Sequence, residues 1–359
     1  MSREGMTRKQ SAEVVLPCND VSASVDFFTD ELGFRLDSIY PADAPRVAVM
    51  SGFGLRLRLD NEATGDPGTL RLISDDRGSR ETISAPNGTS VDFVPAKQSL
   101  VLPDNKPSLV VSRANNGASF GVGRAGMQYR DLIPDRYGGR FIASHIRIPD
   151  GGPVPDYVHH HNIRFQLIYC VHGWVRVVYE DQGPPMLLEA GDCFLQPPHI
   201  RHRVLECSDQ MEVVEVTCPA EHETLIDHDL ELPTSDCNPD RDFAGQRFIF
   251  HKAQNANWKP WNADGLEYRD TGIEAATGGI ASVIVARKSG DVNAFSLRHN
   301  AEIRFLFVIK GDAKLQCAGD EPENLEAGDA VAIPPVMACA FGDISSDFEV
   351  FEVTAPATR

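Results

Sequence analysis

The chain has 359 residues, 42% hydrophobic and 24% charged, which is ordinary for a soluble globular protein and long enough for two or three domains. Its 52 acidic and 34 basic residues give a net charge of −18, which disfavours nucleic acid and anionic membranes as partners. No apolar run approaches the roughly 18 residues of a membrane span, and MSREGMTRKQ lacks the apolar core of a signal peptide, so we expect a cytoplasmic protein.

Residues 13–60 predict strands and one helix. EVVLPC, RLDSIY, RVAVM and LRLRL have strand patterns, and VSASVDFFTDELGF has a helical one. Asp20 is the expected N-cap and Gly33 the expected stop. The apolar stripe of the helix consists of Val25, Phe27, Phe28 and Leu32. With TLRLIS (69–74), this segment predicts one βαβββ unit.

Residues 75–108 are rich in turn formers and charge and are expected to form a linker. An internal repeat follows. GMQYRD (126–131) recurs as GLEYRD (265–270), AGDCFLQPP (190–198) as AGDAVAIPP (327–335), and EVVEVTCP (212–219) as EVFEVTAP (349–356). Each copy spans about 110 residues of short β-branched and aromatic runs divided by Gly, Pro and Asp. This pattern predicts two small β-barrels in tandem.

A histidine-rich stretch, 159–202, lies inside the first copy. His159 and His161 are two residues apart, so on a strand they project from the same face, whereas His160 projects from the other. His202 follows a second strand-like run and the turn signal Pro197-Pro198. Two paired strands would aim three imidazoles at one point inside a barrel, an arrangement that suits a divalent metal.

These spacings resemble the two signatures of the cupin superfamily, G(x)5HxH(x)4E(x)6G and G(x)5PxG(x)2H(x)3N. The first is matched by His159, His161 and Gly173, with Gln166 where the family usually has Glu. The second is matched by Gly191, Pro197 and His202, with His199 in place of Gly. The resemblance implies that His159, His161 and His202 bind a metal, with Gln166 as a fourth ligand.

The fold class expected from this resemblance is mainly β: two tandem cupin (double-stranded β-helix) barrels preceded by a small βαβββ module. We expect boundaries at residues 1–95, 96–235 and 236–359. LPCNDVSASVDFFTDELGFRL resembles the opening of a vicinal-oxygen-chelate (glyoxalase/bleomycin-resistance) module, of which only one half is evident. The family's first metal position falls near Glu13 without a histidine partner, so this half module is expected to pack or dimerise rather than catalyse.

The second repeat serves as a control for the first. Alignment of the glycines places Leu297, His299, Arg304 and Cys339 at the positions of His159, His161, Gln166 and His202. An arginine aimed at the centre would oppose a cation, so we expect one metal per chain, in the first barrel. The eight cysteines show no CxxC spacing and are expected to be reduced core thiols: residues 18, 170, 193, 207, 218, 237, 317 and 339.

Gln166 bears on the chemistry. Three imidazoles and an amide leave a divalent ion at +2, which favours an anionic bidentate substrate, and an amide is a poor general base. Three-histidine cupin iron sites, including those of gentisate-type and β-diketone dioxygenases, resemble this one. Fe(II) is therefore the first choice, with Zn(II), Mn(II) or Ni(II) as alternatives. Arg164 either binds a substrate carboxylate or pairs at the surface, and His145 either lines the pocket or packs in the core.

The leading functional hypothesis is a metal-dependent cupin dioxygenase that acts on a small anionic aromatic or β-dicarbonyl substrate. A Zn- or Mn-dependent isomerase, cyclase or lyase at the same site is the second, and O₂ consumption distinguishes the two. The third is a bicupin that binds a small ligand without catalysis. Because a single βαβββ unit leaves a sheet edge unpaired, we also expect a homodimer through the N-terminal module.

Overall fold

The computed structural model describes residues 11–74, 82–96, 99–115, 120–319 and 321–357. The chain divides into two compact units, residues 1–99 and 100–359. Within the described ranges, no helix is long and apolar enough to cross a membrane. Of the predicted linker, residues 75–81 and 97–98 lie outside the described residues.

The first unit contains the predicted βαβββ segment. Its elements are β1 (Val14–Pro17), α1 (Val21–Asp26) continuing as a π-helical turn (Phe27–Glu31), β2 (Arg35–Tyr40), β3 (Val47–Gly52) and β4 (Leu55–Asp60). The sheet order is β1-β4-β3-β2, with β1 parallel to β4. The side chain of Asp20 accepts a hydrogen bond from the Ala23 amide at 3.0 Å, and Gly33, with φ +80°, ends the helical segment. The predicted cap and stop are therefore confirmed.

The TLRLIS segment differs from the prediction. Its strand β5 (Thr69–Ile73) joins a separate sheet with β6 (Ile83–Ser84) and β7 (Ser90–Val94), which lie within the predicted linker. β5 pairs in parallel with β7 and is not hydrogen-bonded to the four-stranded sheet. The buried side chains of this second sheet, including Leu70, Leu72 and Val91, belong to the same core as Phe28.

The second unit consists of two β-barrels, each made of a large and a small sheet. The strands that lead into the first barrel and build it are β8 (Val110–Ser112), β9 (Gly121–Val122), β10 (Gln128–Asp131), β11 (Ile142–Ile148), β12 (Gly152–Pro153), β13 (His159–His161), β14 (Phe165–His172), β15 (Trp174–Tyr179), β16 (Met186–Glu189), β17 (Cys193–Gln196), β18 (His202–Cys207), β19 (Met211–Cys218) and β20 (Thr224–Ile226).

The remaining elements are β21 (Asp242–Phe243), β22 (Gln246–Arg247), β23 (Ile249–His251), β24 (Trp258–Pro260), β25 (Leu266–Asp270), α2 (Ile273–Ala276), β26 (Ser282–Lys288), β27 (Ala294–Leu297), β28 (Ile303–Lys310), β29 (Asp312–Cys317), β30 (Glu323–Glu326), β31 (Ala330–Ile333), β32 (Cys339–Gly342) and β33 (Glu349–Ala355). Short 3₁₀ turns occur at Arg124–Gly126, Arg136–Gly139 and Ala253–Asn255.

Strand pairing crosses the predicted boundary at residues 235/236 in both directions. The large sheet of the first barrel has the order β23-β17-β14-β19-β11-β10-β9, and that of the second has β24-β25-β26-β33-β28-β31-β8. Thus β8, which precedes the first barrel in sequence, completes the second, and β23, which follows the first barrel, returns to it. This exchange ties the two barrels together through backbone hydrogen bonds.

The repeated GxxYRD motif has a structural role between the barrels. The Arg130 guanidinium in the first barrel donates to the Gly328 carbonyl of the second at 2.5 Å. In return, the Arg269 guanidinium donates to the Gly191 carbonyl at 2.9 Å. Both arginines are buried, and both glycines belong to the repeated AGD motif. Two of the repeated motifs therefore contact each other reciprocally across the interface.

The prediction that all eight cysteines are free is wrong for two of them. Cys317 and Cys339 lie opposite each other on β29 and β32 and form a disulfide. The other six are free, and of these only Cys237 is exposed. Hydrophobic alternation within each run gave no sign of the bond, because the pairing depends on the register between two strands whose cysteines are 22 residues apart in sequence. Disulfides persist mainly in oxidising compartments, and the cytoplasm is reducing. The cytoplasmic location therefore remains a prediction.

We predict that protein purified and denatured without reductant shows six reactive thiols, rising to eight after reduction. Replacing Cys317 and Cys339 together with alanine should lower the free energy of unfolding by about 3 kcal/mol, because the cross-link restricts the unfolded chain. Thiol titration and chemical denaturation measure the two effects. The exposed Cys237→Ala variant is the control and should unfold as the wild type does. Eight reactive thiols before reduction would contradict the bond.

Candidate metal centre

Three histidines meet inside the first barrel. β13 and β18 are antiparallel, and His159 lies directly opposite His202. His161, two residues along β13, shares their face, and the ligand nitrogens of the three side chains all lie within 4.8 Å of one another. His160 is not part of this group, because strand alternation places its ring near His199 instead. In the part of the chain that the structure describes, no other such cluster of potential metal ligands occurs.

Backbone carbonyls orient all three imidazoles. The Nδ1–H groups of His159, His161 and His202 donate to the carbonyls of Tyr157, Glu223 and Ile200 at 2.7, 3.0 and 3.0 Å, respectively. Because a carbonyl can only accept, each Nδ1 carries the proton and each Nε2 keeps its lone pair. Metal-binding histidines are fixed in the same way, through a hydrogen bond from the nitrogen that does not bind.

The protonation state also suits a cation. Burial lowers the pKa of His161 to about 3 and lowers the pKa of His159 and of His202 as well. The mutual repulsion of the three rings acts in the same direction for His161 and His202. At neutral pH all three imidazoles are therefore neutral, which is the form that binds a metal.

A cavity of about 80 Å³ extends from the histidines into the barrel. The polar side chains that line it are the three imidazoles together with Arg124, Gln166, Gln196 and Glu215. The rest of its wall is mainly apolar and includes Ile146, Ile168, Val177, Leu188, Phe194 and Val213. The site thus combines a few polar groups with an apolar wall, as small-molecule pockets commonly do.

Gln166 and Glu215 form a pair on adjacent strands. Gln166 lies opposite Thr217, so Glu215 is its diagonal neighbour on the cavity face of β19. Burial raises the pKa of Glu215, and a hydrogen bond from the Gln166 amide opposes that shift. The Oε1 atom of Gln166 is buried and finds no partner among the described residues. Three Nε2 lone pairs and one unpaired amide oxygen at the edge of one cavity fit a divalent cation.

Arg124 lies beside the histidines. One of its terminal nitrogens, Nη2, donates to the Nε2 lone pair of His159 at 3.2 Å, so a cation at that nitrogen would displace this hydrogen bond; the other, Nη1, is paired with the buried carboxylate of Asp156. The Asp156 carboxylate also accepts a hydrogen bond from the Val204 amide at 2.9 Å, which fixes its position. A guanidinium is therefore held next to the candidate ligand atoms.

The other two predicted site residues lie away from the cavity. The Arg164 guanidinium pairs with both carboxylate oxygens of Glu302 in the second barrel, at 3.0 and 3.1 Å. Nε2 of His145 is 2.8 Å from the Glu212 carboxylate, and its ring packs between Phe120 and Phe307. Neither position supports the predicted role in substrate binding. Arg164 precedes the first residue of β14, so strand alternation does not determine the direction of its side chain.

Sequence reasoning did not identify Arg124 or Glu215. Arg124 lies in a 3₁₀ turn outside any periodic segment, so no pattern could assign its direction. Glu215 did carry a signal, because it recurs as Glu352 in the EVVEV/EVFEV repeat. Recognising its role, however, requires the register between β14 and β19.

The second barrel has the same strand register as the first at the site positions, but different side chains occupy them. Leu297 lies opposite Cys339, as His159 lies opposite His202, so the structure supports the predicted alignment. Nε2 of His299 is 3.0 Å from the Ile333 carbonyl, and its donated proton leaves that nitrogen without a lone pair for a metal. Arg304, at the position of Gln166, forms two hydrogen bonds to Glu352, at the position of Glu215.

No protein-family model and no curated protein sequence matches the chain. Solved structures do match it. The protein Ylba from E. coli, of the DUF861 family model, is 10% identical, with a TM-score of 0.52 over 72% of this chain and 94% of that one. An oxalate decarboxylase OxdC mutant from Bacillus subtilis is 12% identical, with a TM-score of 0.51 over 70% and 78% of the two chains. These matches show the fold, two tandem cupin barrels.

A third similar structure is the oxalate decarboxylase of Lactobacillus farciminis in a formate complex. It is 14% identical to this chain, with a TM-score of 0.51, and the match covers 71% of this chain and 88% of that one. In all three comparisons most of each chain is aligned, so the likeness extends over both barrels. The glyoxalase-like resemblance of the first unit has no counterpart in these matches and remains a prediction.

We predict that the full chain binds one divalent ion, measured by elemental analysis after anaerobic reconstitution with Fe(II) or Mn(II). His161→Ala should reduce binding by at least about 100-fold, since it removes one of three neutral nitrogen ligands from a centre that depends on all of them. His160→Ala is the matched control, one residue away on the opposite face, and should bind as the wild type does. Two ions per chain, or equal loss in both variants, would refute the assignment.

The buried His299 predicts a pH dependence of stability. Burial lowers its pKa in the folded protein, so below the unfolded value of about 6.5 the unfolded chain binds more protons. Stability is therefore lost as the pH falls below that value. We expect the free energy of unfolding of His299→Gln to fall by up to about 2 kcal/mol less than that of the wild type between pH 7 and pH 5. Chemical denaturation measures this, with Leu297→Ala as a control that should shift stability equally at both pH values.

Proposed function

We propose that the protein is a mononuclear metal-dependent enzyme that acts on a small anionic substrate inside the first barrel, with O₂-dependent chemistry at a ferrous ion as its leading reaction. The observation that carries the proposal is the set of three neutral imidazoles with inward Nε2 atoms that line a cavity. Without a carboxylate among these three, a bound ion keeps its full +2 charge and attracts an anionic chelating group. When bound, the ion would polarise the oxygens of the substrate and supply positions for O₂.

The cavity limits the size of the substrate. Its volume is about 80 Å³. A dry cavity that admits benzene is about 150 Å³. A substituted aromatic acid therefore exceeds the space, and we favour a short β-dicarbonyl, keto or hydroxy acid. This narrows the expectation from the sequence, which included aromatic substrates.

The side chains of the chain itself would bind and orient such a substrate. The backbone carbonyls of Tyr157, Glu223 and Ile200 keep the imidazoles in one tautomer and one direction, so little reorganisation accompanies binding. The apolar wall excludes water from the rest of the cavity. Gln166 can accept a hydrogen bond, or bind the ion, through the buried Oε1 atom that has no other described partner.

Glu215 favours a second function, a redox-neutral lyase or isomerase reaction at the same centre. Its carboxyl group faces the cavity beside Gln166 and supplies the acid–base group that the amide cannot. Two structural neighbours bear on this alternative, since an oxalate decarboxylase with this fold has Mn(II) centres and another was solved with formate. Mn(II) is therefore the metal to test beside Fe(II).

The test is turnover with both metals. Protein reconstituted with Fe(II) or Mn(II) would be mixed with two- to five-carbon keto, hydroxy and β-dicarbonyl acids, while an oxygen electrode follows O₂ and NMR follows the organic products. We expect product formation coupled to O₂ uptake, absent from His161→Ala and retained in His160→Ala. Product without O₂ uptake, lost in Glu215→Gln, would establish the second function instead. Metal binding without turnover of any acid would leave a ligand-binding barrel.

A further inference from the structure

We infer that Arg124 anchors a carboxylate of the substrate while a neighbouring oxygen of the same molecule binds the metal, so that the ligand is a short aliphatic 2-oxo or 2-hydroxy acid. The inference rests on the proposed metal centre and names the chemical class that the centre would accept. It assigns to Arg124 the role that the sequence had suggested for Arg164.

Position is the first argument. Among the described residues that line the cavity, Arg124 is the only lysine or arginine. Its Nη2 atom is 3.2 Å from the Nε2 atom of His159, so a group that contacts the guanidinium also lies beside the histidine cluster. A metal bound at that nitrogen would displace this contact, and the freed guanidinium would donate charge-assisted hydrogen bonds to a ligand carboxylate whose adjacent 2-oxo or 2-hydroxy oxygen binds the ion.

The chain holds Arg124 in place from two directions. Its side chain pairs with the carboxylate of Asp156, which is completely buried, whereas the Arg124 side chain itself is 40% exposed. Its backbone lies in a tight turn in which Ala125 has φ +54°, a left-handed conformation that costs a non-glycine residue about 1 kcal/mol. A Cβ atom at Gly123 would lie 2.6 Å from the Tyr129 ring, so the turn requires glycine there. The guanidinium is therefore pre-organised at the edge of the cavity.

Charge balance is the next argument. Asp156 compensates Arg124, and the three imidazoles are neutral, so a bound divalent ion leaves these polar groups with two positive charges before Glu215 is counted. Even an ionised Glu215 leaves one positive charge. In either protonation state of Glu215 the polar residues and a bound ion together carry excess positive charge. An anionic acid is therefore a better match than a neutral ligand.

The shape of the cavity determines the remainder of the ligand. Apart from the polar groups, the wall consists of aliphatic and aromatic side chains such as Ile146, Val177 and Val213. Burial of a short alkyl group against this wall would stabilise the complex by about 0.8 kcal/mol per CH₂, whereas a second polar group would be left without hydrogen-bond partners. A four-carbon acid with one oxygen next to the carboxylate satisfies both the polar groups and the apolar wall.

The experiment measures two affinities in the full chain. Zn(II) binding is determined by competition with a chelator, and binding of 2-oxobutanoate to the Zn(II)-loaded protein by calorimetry. For Arg124→Gln we expect 2-oxobutanoate to bind about 10- to 100-fold more weakly, because charge-assisted hydrogen bonds are lost. Zn(II) should bind about threefold or more tightly, because a positive charge beside the ligand nitrogens is removed. The neutral 1-hydroxybutan-2-one should bind both proteins equally.

Controls distinguish this role from a structural one. Arg176→Gln removes an arginine of similar exposure that pairs with Glu206 on the same barrel and should change neither affinity. Arg124→Lys keeps the ion pair with Asp156 and should keep the Zn(II) affinity. Its affinity for 2-oxobutanoate should fall by about three- to tenfold, since an ammonium cannot donate two parallel hydrogen bonds.

Several outcomes would overturn the inference. If Arg124→Gln weakens Zn(II) and 2-oxobutanoate together, the arginine merely supports Asp156 and His159. If it changes neither affinity, the carboxylate binds elsewhere. A wild-type protein that binds no Zn(II) would remove the proposed function itself, a result that the chelator competition reports separately from the carboxylate titration.

Discussion

The antiparallel register of β13 and β18 is the constraint on which the candidate centre depends. It places His159 directly opposite His202, and the period of two along β13 adds His161 to the same face. A slip of one residue would turn His159 and His161 out of the barrel and His160 into it. The second barrel has the same register, with Leu297 opposite Cys339, although it lacks the three ligands. The register therefore belongs to the fold, and the histidines were placed on a frame that forms without them.

Much of the fold and the centre of the site could be predicted from the sequence because the signals are local. The helix with its Asp20 cap, the repeat motifs and the same-face pair His159 and His161 each depend on residues close in the chain. Arg124, Glu215 and the Cys317–Cys339 bond could not be predicted in this way, since each depends on how distant segments pair or on the direction of a turn.

The barrels differ at a second set of positions besides those of the three histidines. In the second barrel Arg304 and the buried Glu352 form a doubly hydrogen-bonded ion pair. In the first barrel the same positions hold Gln166 and Glu215, so the carboxyl group loses its cation and faces the cavity. One exchange of arginine for glutamine thus converts a charge-paired interior into one with unused hydrogen-bonding capacity beside the histidines.

Such an interior is costly, because a buried polar atom without a partner costs about 1–3 kcal/mol, and a cavity forgoes packing. The exchange of β8 and β23 and the reciprocal hydrogen bonds of Arg130 and Arg269 add contacts that offset this loss of stability in the first barrel. Its large sheet is completed by β23, which lies between the two repeats, and its Gly191 turn is held by Arg269 of the second barrel. The second barrel, although it lacks the three-histidine set, therefore contributes contacts to the frame of the candidate site.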